Sequence, residues 1–166
     1  MAQDQEPESL EYETNEKGEK MLVRSIKSNQ RAYLRFTNKT GRPVDVWWRN
    51  FRGSRVHYVR LKAHTFFDIN SFITHPWEFS DVTTKESYVI ENKRIFRPPA
   101  HVADRGLRTN WNITIGVRSL RHSAMLAVAK RVSDPNAAFR LQLPRVIAED
   151  LRETITLYHK APNTAR

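Results

Sequence analysis

The chain predicts a β plus α architecture: an N-terminal antiparallel β-sandwich of about seven short strands, then a small three-helix α domain. Three observations carry that expectation. Between Ala32 and Phe96, short runs rich in aromatic and β-branched residues recur between turn clusters of Gly, Pro and Asn. After Ser119 the apolar period changes from 2 to about 3.6, with Leu120, Ala124 and Val128 on one stripe. The 166 residues, 39% hydrophobic and 10% aromatic, suffice for one ordinary domain or two small ones.

Residues 1–20 hold seven acids and two lysines, a net −5, with few aromatics, so residues 1–21 are expected to be a disordered acidic tail. Ala32 to Thr37 reads as a strand, and Asn38 to Pro43 as turn chemistry. Val44 to Phe51 is a strand carrying the Trp47-Trp48 pair, of which one ring faces inward and its neighbour outward. Arg52-Gly53-Ser54 makes a hairpin turn into Arg55–Leu61, where Val56, Tyr58 and Arg60 share a face. Thr65 to Ile69 and Pro76 to Phe79 follow, with Pro76 marking an edge or a bulge. Ser87 to Glu91 and Arg94 to Phe96 flank Asn92-Lys93, with Asn92 expected at the first central position of a type I′ turn. Trp111 to Val117 is a last strand or extended bridge, which closes a sandwich over residues 22–117.

Ser119 is an N-cap candidate for a helix rich in alanine. Ser133-Asp134-Pro135 stops that helix and starts a short second one reaching Leu141. Pro144, at a first helical position, opens a third through Val146, Ile147, Leu151, Ile155 and Tyr158. The helical region, residues 118–160, is too small to stand alone and must lean on the sandwich or on a partner; residues 161–166 are a tail. Pattern alone leaves open whether the Leu120/Ala124/Val128 stripe packs within the chain or against another.

The composition bounds function. There is no cysteine, which removes disulfides and thiolate chemistry and fits a cytoplasmic and nuclear address. No run of about 18 apolar residues exists to span a membrane. Beyond residue 20 the chain holds 26 bases and 11 acids, a net +15 that suits nucleic acid or an acidic partner. The nearest thing to a basic stripe is Arg49, Arg52, Arg55, Arg60 and Lys62.

Phe66 to Phe79 packs a hydroxyl, an imidazole and an indole among apolar residues. If the segment stays extended past Ser71, then Ser71, Ile73, His75, Trp77 and Phe79 share one face. Such a face grips a small polar group. Catalysis is disfavoured: Asp68, the nearest acid, should point to the opposite face, and no Gly-x-Ser-x-Gly elbow exists. Metal-ligating His spacings and phosphate loops are also absent, so neither cofactor nor metal is expected.

Specific landmarks run through the chain: Val23-Arg24-Ser25, Phe36-x-Asn38, Trp48-x-Asn50-Phe51, Tyr58, Ile69-x-Ser71, His75-x-Trp77-x-Phe79-x-Asp81, Phe96 and Pro98. With them, residues 23–98 resemble the β domain of the von Hippel–Lindau tumour suppressor family. Asn112-Ile113-Thr114 and the helix from Ser119 resemble its α domain and elongin C-binding box, so the likeness covers roughly residues 23–155.

The resemblance implies a non-catalytic substrate receptor of a cullin–RING ubiquitin ligase. It would bind 4-hydroxyproline in an extended segment of the hypoxia-inducible factor α subunit and target it for degradation. Ser71 and His75 would hydrogen-bond the hydroxyl, Trp77 would be the floor, and Trp48 and Tyr58 the walls. Ile69, Asn70 and Phe72 would flank the pocket. Ile115, Leu120, Ala124, Ala127, Val128, Leu141 and Ile147 would meet elongin C, which brings elongin B, a cullin and a RING subunit.

Three positions depart from the family pattern: Ala124 replaces a cysteine, Asn70 a histidine and Phe72 a tyrosine. Ser71 and His75 are expected to be unpaired in an apolar box, so that plain proline is rejected by about 10³–10⁵-fold. The competing readings are a basic polyanion-binding sandwich and a peptide-binding module without ligase assembly.

Overall fold

The computed structural model describes residues 10–103 and 106–160. The described residues divide into two compact units. One runs to Val82 and from Glu86 to Gly116; the other comprises Thr83–Lys85 and the residues from Val117 on.

The first unit contains nine strands among the described residues: β1 (Tyr12–Thr14), β2 (Lys20–Leu22), β3 (Arg31–Asn38), β4 (Val44–Arg49), β5 (Arg55–Leu61), β6 (Phe66–Phe72), β7 (Trp77–Asp81), β8 (Ser87–Tyr88) and β9 (Thr109–Ile113). Seven of them make two sheets, ordered β6-β3-β9 and β5-β4-β7-β8. Alternation builds the core: Ala32, Leu34 and Phe36 of β3 face in, as do Val44 and Val46 of β4 and Trp77 and Phe79 of β7. Phe36 ties the sheets together, its ring edge-on to Trp77, Phe79 and Phe96 with centroids 5.6, 5.1 and 5.8 Å away. Asn50 builds the turn into β5 by accepting the Arg52 and Ser54 amides at 2.9 and 3.0 Å. Gly53 supplies the left-handed residue (φ +86) under the Leu22 side chain.

Four departures from the sequence expectation concern the order, direction and turns of the strands. Residues 10–22 are not a tail but the β1–β2 hairpin, paired Tyr12 to Leu22 and Thr14 to Lys20; residues 1–9 lie outside the described residues. Composition sees the acid excess and misses the bases far along the chain that neutralise it: Arg94 pairs with Glu11, and Arg97 with Glu13. Second, the sandwich is not wholly antiparallel. β9 runs parallel to β3, because the long stretch after Tyr88 brings the chain to that edge in the same direction. Third, the turn near Asn92 is shifted by one residue. Glu91 and Asn92 hold the left-handed central positions (φ 51 and 60), with Ile90 and Lys93 exchanging both backbone hydrogen bonds. Fourth, Pro76 marks no edge; it immediately precedes β7, an interior strand, where its missing N–H is harmless.

The second unit holds α1 (Leu120–Ala129), a 3₁₀ turn (Pro135–Arg140) and α2 (Arg145–Lys160). Ser119 caps α1 by accepting the His122 amide at 3.1 Å. Pro144 lies one residue before α2 rather than within it, and its carbonyl accepts the Ala148 amide. The core is small: Met125, Ala129, Ala138, Leu151 and Ile155, with Val128, Val132, Ile147 and Tyr158 against them. His159 Nε2 lies 3.0 Å from the carbonyls of Ala129 and Val132, closing the end of α1. No helix of the described residues is long and apolar enough to cross a membrane.

Candidate functional site

β6 ends at Phe72, and the chain turns at once, with the His75 amide donating to the Phe72 carbonyl at 3.0 Å. Trp77 then enters the other sheet, so strand alternation does not carry from Ser71 to Trp77 as the extended reading assumed. The turn brings the two together by another route. Trp77 Nε1 donates to Ser71 Oγ at 3.1 Å, both side chains being nearly buried, at 2% and 4% exposure.

Trp48 lies directly across from Trp77 in the β4–β7 register. Its indole N–H donates to Ser25 Oγ at 2.9 Å, and Ser25 donates on to the Arg49 carbonyl at 2.6 Å, which fixes the ring. Tyr58, half exposed, packs edge-on to Trp77 with centroids 5.2 Å apart. His75 is 8% exposed and is boxed by Phe72, Trp48 and Phe51 at 5.1, 5.5 and 5.6 Å. Burial pushes its pKa below the ordinary 6.5, which keeps the imidazole neutral near pH 7.

The two polar groups are not unpaired, as the sequence reading expected. Ser71 accepts from Trp77, and His75 Nε2 lies 3.3 Å from Ser28 Oγ. Each nevertheless keeps capacity for a guest: a hydroxyl bonds through its hydrogen and two lone pairs, and an imidazole has a second nitrogen. The carboxylate of Asp68 is held by Arg35 and Arg108 instead of by His75.

Of the flanking residues, Ile69 is buried in the core of the β unit. Asn70 is exposed, and its Oδ1 accepts from Arg108 at 3.1 Å; Phe72 is half-buried beside His75. β6 is an outer strand of its sheet, so one rim is open to an added extended segment. Trp47 takes the other face, donating to Ser80 Oγ at 2.9 Å with Arg55 over its ring, apart from the pocket.

The family model described as the VHL beta domain matches residues 23–104, the stretch that contains Ser71, His75, Trp77 and the rings packed around them. A relative from Drosophila melanogaster, named "Protein Vhl", is 27% identical over 177 aligned positions covering 95% of this chain and 98% of the fly protein. The chain is a divergent homologue of the VHL family.

The VHL-like landmarks resolve into jobs. Trp48-x-Asn50-Phe51 supplies two rings against His75 and the turn between them and β5. Phe51, Ser25, Ser28 and Arg108 were not singled out as site residues. Phe51 and Ser25 each stand in a landmark quoted from the sequence; Ser28 and Arg108 reach the site from distant sequence.

On the helical unit, α1 presents two faces. Met125 and Ala129 turn into the core, with Val128 packed beside them. Leu120 is 91% exposed, and Ala124 and Ala127 are exposed with it, so the stripe read from sequence divides between core and surface. Leu141 is exposed, Ile147 packs against the core, and Ile115, in the β unit, is exposed.

Proposed function

We propose that this chain is the substrate-recognition subunit of a cullin–RING ubiquitin ligase and that its β unit captures 4-hydroxyproline in an extended peptide, the hypoxia-inducible factor α segment being the reference ligand. The observation that carries this reading is the presence of a buried hydroxyl and a neutral imidazole among five aromatic rings, Trp48, Phe51, Tyr58, Phe72 and Trp77, beside an outer strand. Such a box suits one alcohol on an apolar imino acid ring. Backbone pairing along β6 would give sequence-tolerant affinity, and the alcohol would give the on/off signal. The exposed apolar face of α1 at Leu120, Ala124 and Ala127 supports docking of elongin C, and with it elongin B, a cullin and a RING subunit. This chain presents substrate in the cytoplasm and nucleus, and ubiquitin transfer takes place on its partners.

Plain proline would leave Ser71 and His75 each short of one bond. At about 1.5–2 kcal/mol per lost bond, rejection is about 10²–10³-fold, below the range expected for fully unpaired groups. The test titrates the full chain with matched prolyl and hydroxyprolyl peptides. Ser71→Ala should remove most of the preference while leaving weak prolyl binding unchanged; equal affinity of the unaltered chain for both peptides overturns the reading.

Two members of the basic stripe are engaged within the β unit, while Arg52 and Lys62 are exposed. Arg49 is buried against Glu78, and Arg60 is held by both oxygens of Asp45 at 2.8 and 3.1 Å. DNA or RNA affinity that falls steeply with salt and ignores Ser71→Ala would revive the polyanion alternative.

A further inference from the structure

We propose that Ser133 is a phosphorylation site and that a phosphate there opens the helical unit. The site follows from the sequence and from the loop that presents it. The effect follows from what that loop holds together.

Ser133 is the one hydroxyl-bearing residue of the chain with bases at both the third and the second position before it, Lys130 and Arg131. Two such cations suit the acidic substrate groove of a basophilic serine/threonine kinase. A kinase also needs its substrate extended and within reach. α1 ends at Ala129, and Val132, Ser133 and Asp134 lie in neither helix nor strand. Asp134 has an extended backbone (φ −86, ψ 111), and Lys130, Arg131, Ser133 and Asp134 are all exposed. In the transfer, Ser133 Oγ attacks the terminal phosphorus of ATP. The Oγ–P bond forms, the bond from that phosphorus to the bridging oxygen breaks, ADP leaves, and the hydroxyl proton passes to the base of the kinase.

The surroundings of the phosphate are set by three contacts. His159 Nε2 lies 3.0 Å from the carbonyls of Ala129 and Val132. Carbonyls only accept, so the ring is the donor, and it ties the end of α2 to the exit of α1. The Val132 carbonyl belongs to the peptide bond that Ser133 completes, so the phosphate is attached one residue from this clasp. Asp134 follows at once, its carboxylate accepting the Asn136 amide at 3.0 Å to start the 3₁₀ turn. Arg140, the cation of that turn, is already given to Asp134 at 2.9 Å.

A phosphate carries about −1.5 to −2 charges near pH 7. At Ser133 it sits beside the Asp134 carboxylate and at the negative end of α1, two placements that each disfavour the folded unit. The bases that recruit the kinase lean away, back along α1, where they line a hollow with Ser123 and Ala127. The helical core is small, with Met125, Leu151 and Ile155 at its centre, so a modest penalty moves the unit measurably toward its open form. An open unit no longer presents Leu120, Ala124 and Ala127 on one face, which makes the phosphate an off signal for docking. That consequence rests on the docking reading above; the measurements on the chain alone do not.

The experiment uses the full chain, either treated with a basophilic kinase and ATP or made with phosphoserine installed at residue 133. Fragment mass mapping should place a phosphate on Ser133, and Arg131→Ala should slow its incorporation about tenfold, the worth of one charge-assisted bond. In both phosphorylated chains, amide exchange at Met125, Leu151 and Ile155 should quicken about 3–10-fold while Phe36 and Phe79 stay unchanged. Asp134→Asn keeps the capping acceptor and removes the like charge, so it should shrink the effect, as should about 1 M salt, which limits electrostatics to about 3 Å. Ser133→Ala should exchange like the unmodified chain and capture elongin C equally. Absence of phosphate from Ser133, while a peptide of residues 128–136 is phosphorylated alongside, overturns the site. Installed phosphoserine that leaves helical exchange unchanged, or slows it, overturns the switch. If the unmodified chain captures no elongin C while the exchange results hold, the docking reading falls and the switch stands.

Discussion

Arg49 and Glu78 show how a single residue can matter to this fold without touching the pocket. Both are buried, Arg49 donating to Glu78 and, at 3.0 Å, to the Gly53 carbonyl. Removing one charge strands the other away from water. Glu78→Ala should therefore cost about 3–5 kcal/mol in urea denaturation, and an apolar double replacement, Arg49→Met with Glu78→Leu, should recover most of it. His75 gives a second residue-scale prediction. Its pKa in the folded chain lies below the unfolded value of 6.5, so between the two the unfolded chain binds more protons. Its contribution to stability is complete above pH 6.5 and is lost as pH falls through the folded value. Acidification from pH 7.5 to pH 5 should thus destabilise the unaltered chain more than His75→Phe; equal slopes would contradict it. Ser71, His75 and Trp77 stand out in the sequence because a hydroxyl, an imidazole and an indole within seven residues are unusual in an apolar stretch, but the turn that brings them together does not. Ser28 does not stand out either, since it meets His75 from 47 positions away and carries no local mark.

At the scale of elements, α1 divides a core face from the exposed face proposed for docking. Met125 lies in the helical core, whereas Leu120 faces solvent. Met125→Ala should lower stability by about 2–3 kcal/mol through lost burial and a residual cavity. Leu120→Arg should leave stability within about 0.5 kcal/mol yet abolish co-purification with elongin C, because it places a charge in an apolar contact. Retained co-purification would remove α1 as the docking element. The cap at Ser119 and the core-facing strands were readable because caps and alternation are local chemistry. The β1–β2 hairpin and the parallel course of β9 were not. The hairpin is held by Arg94 and Arg97 across more than 80 positions, and β9 takes its direction from the path of the whole connection.

For the molecule as a whole, the contrast between the two units decides its thermal behaviour. The β unit buries a continuous cluster from both sheets, with Phe36, Trp77, Phe79 and Tyr88 at its centre. Among the described residues the helical unit has six buried apolar residues, three of them alanine, and leaves Leu120, Phe139 and Val146 exposed. A core of that size leaves little margin after chain entropy. The helical unit should open first on heating, seen as faster amide exchange at Met125, Leu151 and Ile155 than at Phe36 and Phe79. A partner that binds only the folded unit shifts this balance by mass action. With the elongin pair at about a hundred times its dissociation constant, the gain is about 2.7 kcal/mol. At about 2–4 °C per kcal/mol for a chain of this length, the helical transition should rise by roughly 5–10 °C. The same addition to Leu120→Arg should raise it by nothing. A rise in both chains would place the partner elsewhere, and a rise in neither would leave the exposed face of α1 without the partner proposed for it.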